Sequence, residues 1–120
     1  MSILEVEMWE LSDGVDEETH DAAIREWFEW VRDRPDLFAE WKSARHYRHL
    51  TEDEREPSGR YIMVFEFHSL AARDAYKERR RDWTGPYAAY KEIDPYRLFD
   101  HSSVTVDFWE PRQEDLWLEF

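Results

Sequence analysis

Cysteine is absent from the 120 residues of the chain, and its absence excludes several kinds of chemistry. Without a thiol there are no disulfides, no thiolate nucleophile and no zinc or iron–sulfur site built on Cys ligands. A chain without disulfides suits a reducing compartment, so we expect a cytoplasmic protein. Residues 1–11 carry three glutamates where a signal peptide has a basic segment and an apolar run, which agrees with that location.

Glycine and long apolar runs are also scarce. Only three glycines occur, and no glycine-rich phosphate loop is present, which argues against nucleotide binding. The zinc-protease motif HExxH and the nucleophile-elbow serine motif are missing as well. No apolar stretch approaches the roughly 18 residues of a membrane span, so we predict a soluble protein.

Positive charge is in the minority. Lys and Arg number 16 against 29 Asp and Glu, and the net charge is −13. An acidic surface repels phosphate backbones and anionic lipids. We therefore predict that neither nucleic acid nor a membrane is a partner.

Aromatic side chains are abundant, with seven Trp, six Tyr and seven Phe. Large rings can fill a small core efficiently, or they can wall a cavity that holds a flat or apolar ligand. The sequence leaves both interpretations open.

The hydrophobic periodicity predicts the order strand, helix, strand, strand, helix, strand. Alternation marks the first strand, an almost continuous apolar run marks the third as a central strand, and Ser69 is placed to cap the second helix. The predicted segments are 3–11, 16–34, 44–51, 60–68, 70–82 and 103–110. Shorter helical segments are predicted at 36–41 and 87–93.

This order is that of the α+β ferredoxin-like βαββαβ fold, an antiparallel sheet with both helices on one face. We expect one domain over residues 1–120, with a core over 3–110 and a tail over 111–120. Four of the last five residues of the tail are apolar, which favours docking against a partner subunit.

The facing of the strands is predicted from their alternation. We place two apolar sets under the helices: Leu4, Val6 and Met8, and Val104, Val106 and Phe108. The opposite face then shows Glu5, Glu7, Trp9, Thr105, Asp107 and Trp109. That face also carries aliphatic residues of the third strand, so it is too apolar for water and should be covered by a second copy. The orientation of the second strand stays open. Either His46 and Arg48 point toward the helices, or Arg45, Tyr47 and His49 do.

Two stretches carry a family resemblance: LFAEWKSARHYRHL at 37–50 and RYIMVFEFHSLAARDAY at 60–76. Both resemble the dimeric α+β-barrel superfamily, which includes antibiotic-biosynthesis-monooxygenase-like, EthD-like and stress-responsive barrel proteins. The resemblance covers most of residues 3–110. It implies a homodimer with a pocket between helices and sheet, in which a cofactor-independent monooxygenase would deprotonate a phenolic or polycyclic substrate.

On that hypothesis His20 or His68 is the catalytic base, because a neutral imidazole can take a phenolic proton. We expect Tyr47 and Tyr76 to orient the substrate, and Trp27 and Trp83 to wall the cavity. Tyr87 belongs with Trp83 to an aromatic segment that can form a lid. Each of these residues also has a purely structural interpretation, as a core ring or a hydrogen-bonded histidine.

Other functions compete with this one. A non-catalytic barrel that binds a small apolar ligand, or a stress-related interaction protein, is the alternative. Haem binding, known in some barrels of the superfamily through a helix-borne histidine, is weakened because the second helix has no histidine. A metal site from Glu5, Glu7, His46 or His49, and Asp107 has the right donor types but no compact spacing, so we predict no metal and no cofactor.

Overall fold

The computed structural model describes residues 2–120, apart from the side chain of Glu114. Four strands form one antiparallel sheet in the order β2-β3-β1-β4. The strands are β1 (Ile3–Glu10), β2 (Trp41–Leu50), β3 (Pro57–Phe67) and β4 (Thr105–Trp109), and the helices are α1 (Glu17–Arg32), α2 (Leu70–Arg80) and the short α3 (Tyr90–Ile93). The predicted α+β, ferredoxin-like fold is confirmed.

Both long helices begin at side-chain caps. The Asp16 carboxylate accepts from the Thr19 backbone N–H at 2.7 Å, and the predicted cap Ser69 accepts from that of Ala72 at 3.0 Å. Each bond satisfies an N–H that the first turn leaves free. None of the helices within residues 2–120 is long and apolar enough to span a membrane.

The strand register fixes which residues lie under the helices. Glu5, Glu7 and Trp9 stand opposite Phe65, Met63 and Tyr61 of β3, on the face that packs against the helices. The predicted placement of Leu4, Val6 and Met8 under the helices is therefore wrong, and these three lie on the open face. Alternation separates two faces of a strand, but both faces of β1 carry large apolar groups, so the pattern does not say which face is inner.

The edge strand β4 follows the prediction in part. Val106 and Phe108 stand opposite Glu7 and Glu5 and so share the inner face, whereas Asp107 and Trp109 lie on the open face. Val106 and Phe108 remain 45% and 44% exposed, because the helices do not cover this edge.

The second strand takes the orientation that puts His46 inward. Ala44, His46 and Arg48 pair with the inner-face residues of β3, and Arg45 and Tyr47 point to the open face. Tyr47 is 47% exposed there, so the expectation that it lies under the helices beside a substrate is wrong.

Rings dominate the core between sheet and helices. The buried cluster is made of Trp9, Ile24, Trp27, Phe38, Tyr61, Met63, Phe67, Tyr76, Tyr87, Tyr90 and Phe99. Aromatic pairs of this kind contribute beyond their buried area when they meet edge to face or offset. Most of the aromatic excess is therefore used for packing, but the rings also enclose a cavity.

Candidate functional site

A cavity of about 70 Å³ lies between the inner face of the sheet, α2 and the segment 90–99. Its walls are mostly aromatic, and one side is charged. The lining consists of Glu5, Glu7, Trp9, Trp27, Trp41, Met63, Phe65, Phe67, Tyr76, Lys77, Arg80, Tyr90, Asp94, Pro95, Tyr96 and Phe99. A cavity of roughly 150 Å³ accommodates benzene, so this one suits a molecule of a few non-hydrogen atoms.

Glu7 is the most unusual group of the charged side. Burial, followed by the nearby Asp94 carboxylate, raises the pKa of Glu7 to about 7, while Lys77 opposes the rise. Within residues 2–120 its carboxylate has no hydrogen-bond or salt-bridge partner. A carboxyl group that titrates near neutral pH and has free lone pairs has the properties of a general base.

Glu5, two residues earlier on the same face, is different. Its Oε1 accepts from Nε of Arg73 at 2.9 Å and lies 2.8 Å from Nη2 of the same guanidinium, and Arg73 lies over the Phe108 ring. This ion pair balances a buried charge, as buried charges require. Glu5 is thus a structural anion, which leaves Glu7 as the free carboxylate.

The pKa values of Lys77 and of the second acid of the site, Asp94, are also shifted. Burial, helped by Arg80, lowers the pKa of Lys77, and burial raises the pKa of Asp94. The four charged residues of this side are half-buried, so it is partly removed from water, and electrostatic interactions there are stronger than at the surface.

Of the predicted substrate-binding residues, Trp27 and Tyr76 line the cavity. The Trp27 indole N–H donates to the Tyr90 hydroxyl at 2.9 Å, which fixes one wall. Trp83 stacks on Tyr90 at 5.0 Å between ring centroids and lies outside the lining. Tyr87 is also outside it: its hydroxyl donates to the carbonyl of Leu37 at 2.6 Å.

Neither predicted histidine lies in the cavity lining. His20 is fully buried, its Nε2 accepts from the Trp9 indole N–H at 3.1 Å, and its Nδ1 lies 3.1 Å from a carboxylate oxygen of Asp21. Both ring nitrogens are engaged, and burial lowers the pKa of His20. His68 is exposed just after β3, where its backbone N–H donates to the carbonyl of Glu40.

His20, Asp21 and His46 bring three potential metal ligand atoms within 4.8 Å of one another. If Nδ1 of His20 bound a metal, it would need a lone pair, so the ring proton would move to Nε2. The N–H at Nε2 would then point at the indole N–H of Trp9, and two donors cannot form a hydrogen bond. The Trp9 bond therefore opposes metal binding by this cluster.

The metal set considered from the sequence does not converge. Glu5 and Glu7 lie on the inner face and Asp107 on the open face. His49 is exposed, with its Nδ1 at 2.6 Å from the Ser58 hydroxyl.

Sequence reasoning missed the charged side of the cavity, formed by Glu7, Lys77, Arg80 and Asp94. The signal was the i, i+2 spacing of Glu5, Glu7 and Trp9, which puts two carboxylates beside a large ring on one strand face. Acids are ordinary on the solvated face of a strand. They become a signal of a site only when that face is known to be the inner one.

Comparison with solved structures agrees with this fold. A dimeric protein of unknown function with a ferredoxin-like fold from Bacteroides fragilis gives a TM-score of 0.58 at 15% identity, over 91% of this chain and 95% of its own. The hydroxynitrile lyase of Passiflora edulis gives 0.60 at 13% identity, over 90% and 91%. SnoaB, a cofactor-independent oxygenase from Streptomyces nogalater, gives 0.59 at 9% identity, over 93% and 94%.

No family model and no curated protein matches the sequence. At sequence identities this low, the structural similarity to the solved structures establishes a shared fold and nothing more. The chain shares the ferredoxin-like α+β fold of these proteins, and the resemblance carried by residues 37–50 and 60–76 is confirmed at the level of the fold.

Proposed function

We propose that the protein is a homodimeric enzyme that removes a proton from a small, oxygen-bearing substrate, with Glu7 as the general base. The observation that carries this proposal is the half-buried carboxylate of Glu7, which has no hydrogen-bond or salt-bridge partner within residues 2–120, lies beside a cavity and has a pKa of about 7. A base with this pKa is half ionised near neutral pH, which combines availability with proton-accepting strength.

The rest of the lining suits the developing charge. When a proton moves from substrate to Glu7, the substrate becomes an anion, and Lys77 and Arg80 lie on the same side of the cavity. Cations in a site with little water stabilise such a charge more strongly than water-exposed ones. Proton abstraction of this kind needs only side chains of this chain.

The size of the cavity bears on the substrate. At about 70 Å³ it favours an acyclic molecule over the phenolic or polycyclic substrate implied by the family resemblance. Among proteins of this fold, one is by its name a hydroxynitrile lyase, and SnoaB is a cofactor-independent oxygenase.

Haem does not fit the residues present. The cavity is far below the roughly 300–1,000 Å³ of ordinary ligand pockets, and α2 carries no histidine.

Dimer formation is supported by the open face of the sheet. Leu4, Val6, Met8, Ile62 and Val64 lie there only half-buried, beside the exposed Tyr47 and Trp109. An apolar patch of this kind on one sheet face is typical of an interface. The protein of the same fold from Bacteroides fragilis is dimeric.

The test compares wild type with Glu7→Gln on small molecules that carry an acidic O–H or C–H bond, including acetone, dihydroxyacetone and acetone cyanohydrin. Deuterium exchange and product formation are followed by NMR in D2O. We expect acceleration of at least one reaction, and a loss of about 100-fold or more in Glu7→Gln. The matched control is Glu10→Gln, an exposed glutamate of the same strand.

Equal rates in wild type and Glu7→Gln, or no reaction faster than in buffer, would contradict the proposal. The second outcome would favour the alternative of a non-catalytic binding protein. That alternative has its own support in the cavity, because the rings of the chain fill most of the space between helices and sheet.

A further inference from the structure

A second and larger hollow lies at the surface, between α1 and the start of the edge strand β2. This α1–β2 groove has a volume of about 570 Å³, the size of an ordinary ligand pocket. Phe28, Val31 and Trp41 line it and are only half-buried, so the chain leaves apolar surface uncovered there. Uncovered apolar surface in a groove favours a partner.

The charge of the α1–β2 groove is opposite to that of the chain. Among the residues that the structure describes, the only charged ones in its lining are Arg32 and Lys42, although the chain has a net charge of −13. Nζ of Lys42 lies 4.0 Å from a carboxylate oxygen of Glu66, whereas Arg32 makes no salt bridge to any described side chain. Apolar walls with a cationic rim fit a segment that combines large apolar side chains with acids.

The tail of this same chain is such a segment. Residues 110–120 hold four acids and a single Arg. Asp115 and Glu119 flank three apolar side chains that are 66%, 65% and 81% exposed, those of Leu116, Trp117 and Leu118. The tail therefore complements the groove both in apolar character and in charge.

The strand register brings the tail and the groove to the same end of the sheet. Trp109, the last residue of β4, pairs with Leu4 of β1, Leu4 pairs with Glu66 of β3, and Glu66 pairs with Ser43 of the groove. These four residues form one row, with β4 and β2 at the two edges of the sheet. At about 4.8 Å between neighbouring strands, Trp109 is roughly 14 Å from Ser43 of its own chain, across the whole sheet.

The proposed dimer brings a second groove closer. Two sheets that pack through their open faces lie about 10 Å apart. A two-fold axis parallel to the strands places β4 of one protomer across from β2 of the other, with the same ends of the two sheets together. Trp109 then lies roughly 10 Å from the partner's Ser43. Residues 110–115 can span about 20 Å, so the tail reaches the partner's groove without crossing its own sheet.

We propose that the dimer has this axis and that residues 116–120 of each protomer occupy the α1–β2 groove of the other. The inference rests on the homodimer of the proposed function and not on its reaction. Trp27 and Trp41 line both the groove and the cavity beside Glu7. The tail of one protomer therefore packs against the outer side of a cavity wall of the other.

The test is disulfide trapping, for which a chain without cysteine is well suited. Chains with Ala39→Cys, in the groove, are mixed with ¹⁵N-labelled chains with Leu118→Cys, allowed to exchange subunits and oxidised. We expect linked heterodimers by mass spectrometry, formed about tenfold or more faster than with Glu52→Cys in place of Ala39→Cys. Glu52 is the control because it is exposed in the loop after β2, at the opposite end of the sheet.

A chain with both Ala39→Cys and Leu118→Cys separates two ways of filling the groove. Exchange of tails between protomers gives a linked dimer under denaturing conditions. Docking of a tail in its own groove gives a linked monomer. A linked monomer, or heterodimers that form no faster than with Glu52→Cys, would overturn the inference.

Charge reversal tests the complementarity of the two surfaces. Arg32→Glu together with Lys42→Glu should slow the trapping about fivefold or more, because the groove then repels the acids of the tail. Asp115→Lys together with Glu119→Lys on the other chain should restore it. Arg25→Glu is the control, since Arg25 is exposed on α1 outside the groove lining. A rate that charge reversal leaves unchanged, or a loss without rescue, would overturn the inference.

Glu7→Gln separates this inference from the proposed reaction. Trapping should be unchanged in Glu7→Gln, while proton abstraction should disappear. Trapping without any Glu7-dependent reaction would leave the exchanged tails standing and remove the enzyme. A Glu7-dependent reaction in a dimer whose tails are not trapped would do the reverse.

Discussion

The indole N–H of Trp9 donates to Nε2 of His20 at 3.1 Å, and both side chains are fully buried. The bond requires a lone pair on Nε2, so the ring proton sits on Nδ1, which faces the Asp21 carboxylate. The most buried histidine of the chain is thereby held neutral and in one tautomer. The bond connects α1 to β1, and it leaves neither ring nitrogen of His20 without a partner.

Loss of this bond should destabilise the fold. Trp9→Phe removes the donor and leaves Nε2 of His20 buried without a partner, and the smaller ring also leaves space in the core. We expect the free energy of unfolding to fall by about 2–4 kcal/mol in urea denaturation. Leu70→Ala, at a 50% exposed position on α2 away from the open face of the sheet, is the control and should change it by less than about 0.5 kcal/mol. Equal stability of the two variants would show that the bond contributes nothing.

Acid should weaken the native state through this histidine and through His46. Burial lowers the pKa values of His20 and His46 from the ordinary value of 6.5. As the pH falls through 6.5, the unfolded chain takes up protons that the native chain does not, so stability is fully present above that pH and declines below it. Unfolding curves between about pH 7 and pH 5 should show this decline, and it should be smaller in His46→Gln. A decline of the same size in that variant would assign the effect to other groups.

Glu7 should produce the opposite dependence. Its pKa is raised from 4.5 to about 7, and the groups that act on it are Asp94, Lys77, Glu5 and Arg80. Between these pH values the native state holds a proton that the unfolded state has lost, so its contribution to stability is present below 4.5 and is lost as the pH rises to about 7. At higher pH, Glu7→Gln should therefore be more stable than wild type, by about 1–3 kcal/mol.

The measurement is the difference in unfolding free energy between Glu7→Gln and wild type as a function of pH. Glu10→Gln, at an exposed site on the same strand, should show no such trend. Direct titration of the Glu7 carboxyl carbon by NMR gives the pKa itself. A midpoint near 4.5 would remove both this prediction and the general base of the proposed function.

The features that the sequence predicts correctly are those set by residues close together in the chain. The element order, the cap at Ser69 and the fold follow from local patterns, and the structure confirms them. Which face of β1 is the inner one does not follow from local patterns, because Leu4 and Trp9 put a large apolar side chain on each face. Only the pairing with β3 decides which face is the inner one. The site combines Glu7 with Lys77 and Asp94, which are far apart in the chain and meet only through that facing.

The open face of the sheet should be the dimer interface. Val64 lies at its centre, opposite Val6 on β1 and Arg45 on β2. Val64→Lys would bury a charge in that interface beside the like charge of Arg45, which costs several kcal/mol, so we expect a monomer at micromolar concentration by analytical ultracentrifugation. Leu70→Lys is the control, because Leu70 is 50% exposed on α2, away from this face. A wild-type chain that sediments as a monomer would remove the proposed dimer altogether.

The tail at 111–120 should belong to the same interface. Leu116, Trp117 and Leu118 are 66%, 65% and 81% exposed, and Phe120 is fully exposed, so four large apolar side chains have no cover from their own chain. Apolar area of this kind gains about 25 cal/mol for each Å² that a partner covers. A chain ending at Glu110, and a full-length chain with these four residues changed to Ser, should both raise the dimer dissociation constant by about tenfold or more in sedimentation equilibrium. If only the truncation weakened the dimer, backbone contacts of the tail would be responsible, and if neither did, the tail would lie outside the interface.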